Sequence, residues 1–445
     1  MKAFKAYDIR GIYGKDFSAR DVYKIGFFLP RLLNSKKVLV GRDARRSSPE
    51  IFETLTKGIC DSGADVCDAG LATTPMIYWG TSSFDFDASV MITASHNPRE
   101  YNGLKISRKK ALPVGYDSGL KELEQLVMTK EAVPVQKRGS VQPFPFREKY
   151  LNFLKPYCRD ISNLKIGIDC SNGMAGLLIH EIFGSKPNYI YDQLDGNFPN
   201  HSPNPLDPKN IRDLQKLVTD SGRDIGVIFD GDADRVMFLD ETGSFISPDL
   251  MIAVLANQFL LEEKGKVLID IRTSKSVEEY ITGFGCKIEM WRVGRAYASL
   301  KLREIDGIYG GELAGHYYFR DFFYSDSGIL ASILILNIFS DFKRRGIKVS
   351  AVIDIIKAYA NSGEINYRIE QKEEAMEQVR EHFCRLEKPE KFYDFDGYRI
   401  EFKDWWFNIR PSNTEPYLRF IAEAKTKELL NNKIRELNSL LEQYT

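Results

Sequence analysis

Six cysteines in 445 residues, with no C-x-x-C pair among them, rule out a disulfide scaffold. Cys60, Cys67, Cys158, Cys170, Cys286 and Cys384 read as free thiols of a reducing compartment. Excess charge is also missing. Lys and Arg total 62, and so do Asp and Glu. With a pI near 7.0, nothing is left over to neutralise a nucleic-acid backbone or an anionic bilayer. Long apolar runs are absent too. The longest, residues 328–339, has 12 residues, whereas a bilayer core needs about 20. The segment after Met1, Lys2-Ala-Phe-Lys-Ala-Tyr-Asp, lacks the apolar centre of a signal peptide. These absences predict a soluble cytoplasmic protein with no nucleic-acid and no membrane partner.

What is present is a weak repeat. Three β-rich segments each end in an aspartate: Lys36-Lys-Val-Leu-Val-Gly-Arg-Asp43, Leu164-Lys-Ile-Gly-Ile-Asp169 and Gly265-Lys-Val-Leu-Ile-Asp270. Each is followed by a Ser/Thr-containing turn, a helical stretch and a second strand. In the first copy Ser48 is expected to cap a helix with Pro49 in its first turn. Ile51, Leu55 and Ile59 form its apolar face, Gly63 ends it, and a strand follows at residues 64–67. Alternation of this kind predicts the α/β class, with mixed sheets covered on both faces. From Asn361 onward the repeat stops, and an amphipathic helix with Leu429, Leu430, Ile434, Leu437 and Leu441 closes the chain. Length alone suggests about three domains, but the repeat and the polar linkers divide the chain at 1–145, 146–247, 248–360 and 361–445. The expectation is three similar α/β domains and a smaller C-terminal α+β domain.

Four segments carry chemistry. In Asp230-Gly-Asp232-Ala-Asp234-Arg235, an apolar strand runs into three carboxylates spaced two apart. Three such charges on one tight loop repel unless a hard cation gathers their oxygens, and Mg²⁺ is the expected ion. An EF-hand would place the same aspartates at its first, third and fifth positions. Arg235 stands where that loop needs glycine, however, and the flanks read as strands, not helices. In Thr93-Ala-Ser95-His96-Asn97-Pro98, both Ser95 and His96 are nucleophile candidates. A serine phosphate ester persists in water, which suits an enzyme that must hold its phosphoryl group between turnovers. Arg10, and Lys105 in Tyr101-Asn-Gly-Leu-Lys105, can bring positive charge to an anion.

The third segment, Gly310-Gly-Glu312-Leu-Ala314-Gly-His316, offers a carboxylate for sugar hydroxyls and an imidazole for proton transfer. The fourth, Arg410-Pro-Ser412-Asn413-Thr414, combines a guanidinium fork with hydroxyl and amide donors suited to a phosphate monoester.

Together with Phe4-Lys-Ala-Tyr7-Asp-Ile-Arg10-Gly and Tyr318-Phe-Arg-Asp321, these segments resemble the α-D-phosphohexomutases, within them the bacterial phosphomannomutase/phosphoglucomutase group. The pieces occur in that family's order and cover nearly the whole chain. The resemblance implies four domains around a central cleft and a phosphorylated Ser95. It also implies Mg²⁺ held by Ser95, Asp230, Asp232 and Asp234, with Arg10, Lys105, Arg235 and His316 serving the transfer. Tyr7, Arg272, Arg295, Glu312, Ala314, Arg410, Ser412, Asn413 and Thr414 would contact the substrate. The implied reaction interconverts hexose 1- and 6-phosphates, mannose or glucose, through a hexose 1,6-bisphosphate, in a monomer or dimer. Asn413 favours hexose phosphates over phosphoglucosamine, where glycine is usual. Two departures stand out. Ala314 replaces a frequent serine, and Gly294-Arg295 replaces a Gly-His.

Overall fold

The fold is that of a computed structural model describing residues 1–261, 263–412 and 417–444. Its three α/β domains each centre on a mixed sheet. In the first, strand Lys37–Arg42 pairs in parallel with Asp65–Leu71 and with Ala88–Ile92, and Tyr101–Arg108 then runs antiparallel to the last of these. In the second, Ile166–Asp169 is parallel to Asn188–Ile190 and to Ile225–Phe229, with Val236–Asp240 antiparallel beyond. In the third, Lys266–Asp270 is parallel to Lys287–Trp291 and to Tyr309–Gly311, with Tyr317–Phe319 antiparallel beyond. The three copies of the sequence repeat thus occupy equivalent central strands. The fourth sheet, built on Tyr398–Glu401, Trp405–Pro411 and Leu418–Ala424, is antiparallel throughout.

The helix after the first repeat strand spans Ser48–Asp61 and buries Ile51, Leu55 and Ile59 as the apolar spacing predicts. Its cap differs from expectation. Ser47 precedes the helix without a capping bond, and the Ser48 hydroxyl donates instead to Asp43 Oδ1 at 2.6 Å. Ser48 is the first helical residue rather than the cap, and its hydroxyl instead makes a charge-assisted bond to this buried carboxylate.

The apolar run at residues 328–339 lies within helix Gly328–Arg344. It is capped by Ser327, whose hydroxyl accepts from Leu330 N–H at 3.0 Å. The helix is buried on all sides along most of its length, as a helix hydrophobic all round must be. Each fully buried Ile or Leu on it contributes about 1.5–3 kcal/mol. It starts against the second domain, where a Cβ on Gly328 would lie 2.7 Å from the Arg235 carbonyl carbon, so only glycine allows this approach. One continuous core joins part of the first domain to the second and third, while the fourth domain packs around its own, including Trp405, Phe407 and Phe420. Among the described residues no helix is long and apolar enough to cross a membrane.

Candidate active site

The functional segments sit where the strands of the α/β domains end, the usual ligand position in open α/β sheets. Ser95 follows strand Ala88–Ile92, and the aspartate loop follows Ile225–Phe229. Glu312 follows Tyr309–Gly311, and Arg410 lies near the end of Trp405–Pro411. All four domains enclose a cleft of about 1550 Å³. Tyr7, Arg10, Ser95, Lys105, Asp234, Arg235, Arg272, Arg295, Glu312, Ala314, His316, Arg410 and Ser412 line it. Asp230 and Asp232 lie buried in the same loop as Asp234. Asn413 and Thr414 fall outside the described residues.

Ser95 is held in the left-handed region, with φ of 51°, a conformation that a serine adopts only under constraint. Its hydroxyl donates to Asp230 Oδ2 at 2.7 Å. His96 Nδ1 stands 3.5 Å from the same hydroxyl oxygen. Burial, followed by the nearby cations Arg235, Arg10 and Lys105, holds the His96 pKa well below its ordinary value, so the ring is neutral. Arg10 pairs with Asp8 and donates to Asn97 Oδ1 at 2.9 Å, which ties it to the Ser95 loop.

Asp230, Asp232 and Asp234 bring one carboxylate oxygen each to within 4.8 Å of one another. Asp232 Oδ1 and Asp234 Oδ1 are buried and accept no hydrogen bond. Burial, then Asp232 and Asp234, pushes the Asp230 pKa up to about 7. Two orphaned oxygens, and a third carboxylate strained by its neighbours, suit an all-oxygen hard-cation site. Lys105 Nζ donates to Asp232 at 2.6 Å and also pairs with Asp234. Burial opposes the Lys105 charge, but these two carboxylates outweigh it and raise the pKa. Arg235 Nε donates to Asp230 Oδ2 at 2.9 Å, and its buried Nη2 has no partner.

Backbone contacts join this loop to the segment carrying Glu312 and His316. Arg235 and His316 form an isolated antiparallel bridge, and Val236 N–H donates to Gly315 O at 3.3 Å. Glu312 is buried, with Oε1 accepting from Gly294 N–H at 2.6 Å and Oε2 from the Tyr318 hydroxyl at 2.7 Å. Each oxygen keeps a further lone pair for a ligand. Tyr7 donates to Val293 O at 3.1 Å beside this segment.

Arg272 and Arg295 were expected to offer positive charge, and both do line the cleft, but each already has an acidic partner. Arg272 grips Asp270 with Nη2 at 2.7 Å and reaches Glu364 at 3.4 Å. Arg295 donates to Asp326 Oδ1 at 3.0 Å and lies over the Tyr78 ring at 3.9 Å. Arg410 differs. Among the described residues its buried Nε has no hydrogen-bond partner, and burial, then the nearby Arg272, lowers its pKa. A guanidinium so placed among like charges favours an anion.

Three residues of the site had no role in the sequence reading. Thr74 contacts Asp232 twice, through its hydroxyl and through its N–H to the Asp232 carbonyl at 3.0 Å. Tyr318 supports Glu312, and Asp326 accepts from His316 Nδ1 at 2.7 Å. The available signal was positional, because Asp326 ends a strand just before a helix, as the other aspartates end theirs.

Three α/β domains and an antiparallel fourth around one such cleft form the architecture of the phosphohexomutases. Family models for phosphoglucomutase/phosphomannomutase α/β/α domains I, II and III match residues 1–133, 148–243 and 247–359, and the model for the C-terminal domain matches 364–437. The chain belongs to the phosphoglucomutase/phosphomannomutase family. A phosphomannomutase of Vibrio cholerae is 36% identical over 459 residues, covering 99% of this chain and 98% of that protein. One from Methanocaldococcus jannaschii is 34% identical over 451 residues, covering 99% and 98%. The crystal structure of a family protein from Burkholderia thailandensis superposes with a TM-score of 0.87 at 26% identity, covering 100% of this chain and 97% of that one.

Proposed function

We propose that this chain is a phosphohexomutase that interconverts hexose 1-phosphate and hexose 6-phosphate, with mannose as the first substrate and glucose also accepted. Ser95 carries the phosphoryl group, and a hexose 1,6-bisphosphate is the intermediate. The observation that carries this reading is the Ser95 hydroxyl, which lines the cleft, constrained at φ 51° and directed at Asp230 at 2.7 Å. The family relationship supports the same reaction.

In the first half-reaction a sugar hydroxyl attacks the phosphorus on Ser95. The new P–O bond to the sugar forms as the bond to Ser95 Oγ breaks, and His316 takes the hydroxyl proton. The bisphosphate then turns end for end. In the second half-reaction Ser95 Oγ attacks the other phosphate, and the departing sugar oxygen regains a proton from His316. Lys105 is a poor alternative for the proton, because Asp232 and Asp234 keep its ammonium charged.

Asp230, Asp232 and Asp234, with the oxygen of Ser95, would hold Mg²⁺, which supplies charge neutralisation at the transferring phosphoryl group. Arg10 and Arg235 add positive charge at the same end, while the Arg410 loop anchors the phosphate that is not reacting. Glu312 reads the sugar hydroxyls between them.

The test is incubation with mannose 1-phosphate or glucose 1-phosphate, Mg²⁺ and a trace of the matching 1,6-bisphosphate. The expected product is the 6-phosphate, with a phosphate on the Ser95 peptide by mass analysis and no turnover by Ser95→Ala. Free sugar with inorganic phosphate would make the chain a phosphatase instead, and a phosphate on His96 would reassign the nucleophile.

A further inference from the structure

Arg10, Lys105 and Arg235 near the Ser95 loop line the cleft, and Arg45 does not. It is 1% exposed, and every donor it has is spent inside the protein. Nη2 donates to the carbonyls of Ser95 at 2.8 Å and Asn97 at 2.7 Å. Nη1 donates to those of Pro98 at 2.7 Å and Tyr101 at 3.0 Å. Nε donates to Asp43 Oδ2 at 3.1 Å. A guanidinium has five N–H groups in one plane, so this count is complete. Four of the five go to the main chain of one short loop, the loop that carries Ser95.

The peptide on either side of Ser95 is therefore gripped from both directions. Its N–H donates to Thr93 Oγ1 at 3.0 Å, and its carbonyl accepts from Arg45. On the far side, the aspartate loop presses on that same carbonyl. A Cβ added to Gly231 would stand 2.4 Å from Ser95 O, so the two loops touch through a position only glycine can fill. The second domain closes over the guanidinium with the Phe198 ring, 4.9 Å from it. Asp43, the counter-ion, is itself fixed by the Ser48 hydroxyl and by Arg45 N–H at 3.0 Å.

Even with Asp43 as its counter-ion, a guanidinium taken out of water keeps a desolvation cost, and here every donor it has is committed to fixing geometry. We propose that Arg45 is the positioning residue of the nucleophile loop: its planar fork holds the carbonyls of Ser95, Asn97, Pro98 and Tyr101, and so keeps the Ser95 hydroxyl aimed at the aspartate loop in both half-reactions. The proposal rests on Ser95 being the phosphoryl carrier. Lysine cannot replace arginine here, since one ammonium with three N–H groups cannot span four carbonyls and a carboxylate.

The experiment uses the full-length protein with Arg45→Lys, Arg45→Ala and, as a control on the underlying reading, Ser95→Ala. Arg45→Lys is expected to lose about 10²-fold in kcat, the scale of an ångström's misplacement, while KM for the sugar phosphate stays near wild type because Arg45 touches no substrate. Amide hydrogen exchange should quicken at residues 95–101. In Arg45→Ala, free guanidinium at concentrations far below denaturing should restore part of the rate, and ammonium should not. An Arg45→Lys enzyme with wild-type kcat and unchanged loop exchange overturns the proposal. So does a lowered kcat with unchanged loop exchange and no rescue by guanidinium. If Arg45→Ala does not fold, the lysine variant decides. If Ser95→Ala remains active, the phosphoserine reading is what has failed, and Arg45 then stands or falls on the loop exchange alone.

Discussion

His316 Nδ1 lies 2.7 Å from Asp326 Oδ2, and the other oxygen of that carboxylate is held by Arg295 at 3.0 Å. Asp326 therefore orients the imidazole while sharing its charge with a guanidinium. Burial works to lower the His316 pKa, but Asp234 and Asp326 outweigh it and hold the value above that of an ordinary histidine.

As a proton acceptor His316 must be neutral, so kcat/KM should rise with pH through a midpoint above about 6.5. Asp326→Asn removes one of the three raising carboxylates, Asp234, Asp326 and Glu312, and should move that midpoint to lower pH. The substrate phosphate titrates in the same range, so the test is the difference between the two profiles. A midpoint that does not move would dissociate the pair from catalysis. His316→Ala should cost about 10²- to 10⁴-fold in rate.

Asp232→Asn removes one charge from the proposed metal site, at a carboxylate whose Oδ1 has no hydrogen bond among the described residues. The variant should need far more Mg²⁺ for any activity and approach inactivity at concentrations that saturate the wild type, because negative charge develops where one of three ligand charges has been lost. Titrating activity against Mg²⁺ measures the shift. Wild-type enzyme running at full rate in excess chelator would end the claim.

Ala314 sits in the cleft wall two residues from Glu312. A serine there can add one hydrogen bond to the sugar, worth about 0.5–1.5 kcal/mol, or up to roughly tenfold in kcat/KM. The natural chain should turn over both mannose and glucose phosphates, with Ala314→Ser gaining no more than that. A natural chain inactive on both sugars, and rescued by orders of magnitude in the variant, would show the hydroxyl to be indispensable.

Asp249 opens helix Pro248–Phe259 and accepts from Ser274 N–H at 2.9 Å. Burial, with Glu423 and Asp270 nearby, pushes its pKa up to about 6. The folded protein thus binds this proton more tightly than the unfolded chain does. The stability so supplied is present below about pH 4 and is lost as pH rises through about 6, on the order of 3 kcal/mol across the interval. Asp249→Asn abolishes the titration, so its melting temperature should gain on the wild type between those pH values. A constant difference would count against the raised pKa.

The strands, the three-fold repeat and the site segments were legible in the sequence, because short apolar β-branched runs ending in aspartate have few other physical readings. Pairing was not. Arg272 and Arg295 are charges in any reading of the chain, but only the fold shows Asp270, Glu364 and Asp326 against them. Ser48 reads as a cap, but it is the first helical residue, and a buried carboxylate five residues earlier accepts its hydroxyl proton. Arg45 lies beyond local reasoning, since its acceptors are carbonyls, which every residue has, some fifty positions along the chain. Asn413 and Thr414 lie outside the described residues.

The backbone bridge between Arg235 and His316 joins the aspartate loop to the segment carrying Glu312 by main-chain atoms, not by side chains. Anyone redesigning this protein for a new sugar therefore inherits the main-chain spacing between these two loops as a given, since changing a side chain does not remove a backbone contact. The adjustable parts lie outside that seam, at Ala314 and on the separately packed fourth domain. Changes there can retune which sugar is held while leaving the reactive end as it was made.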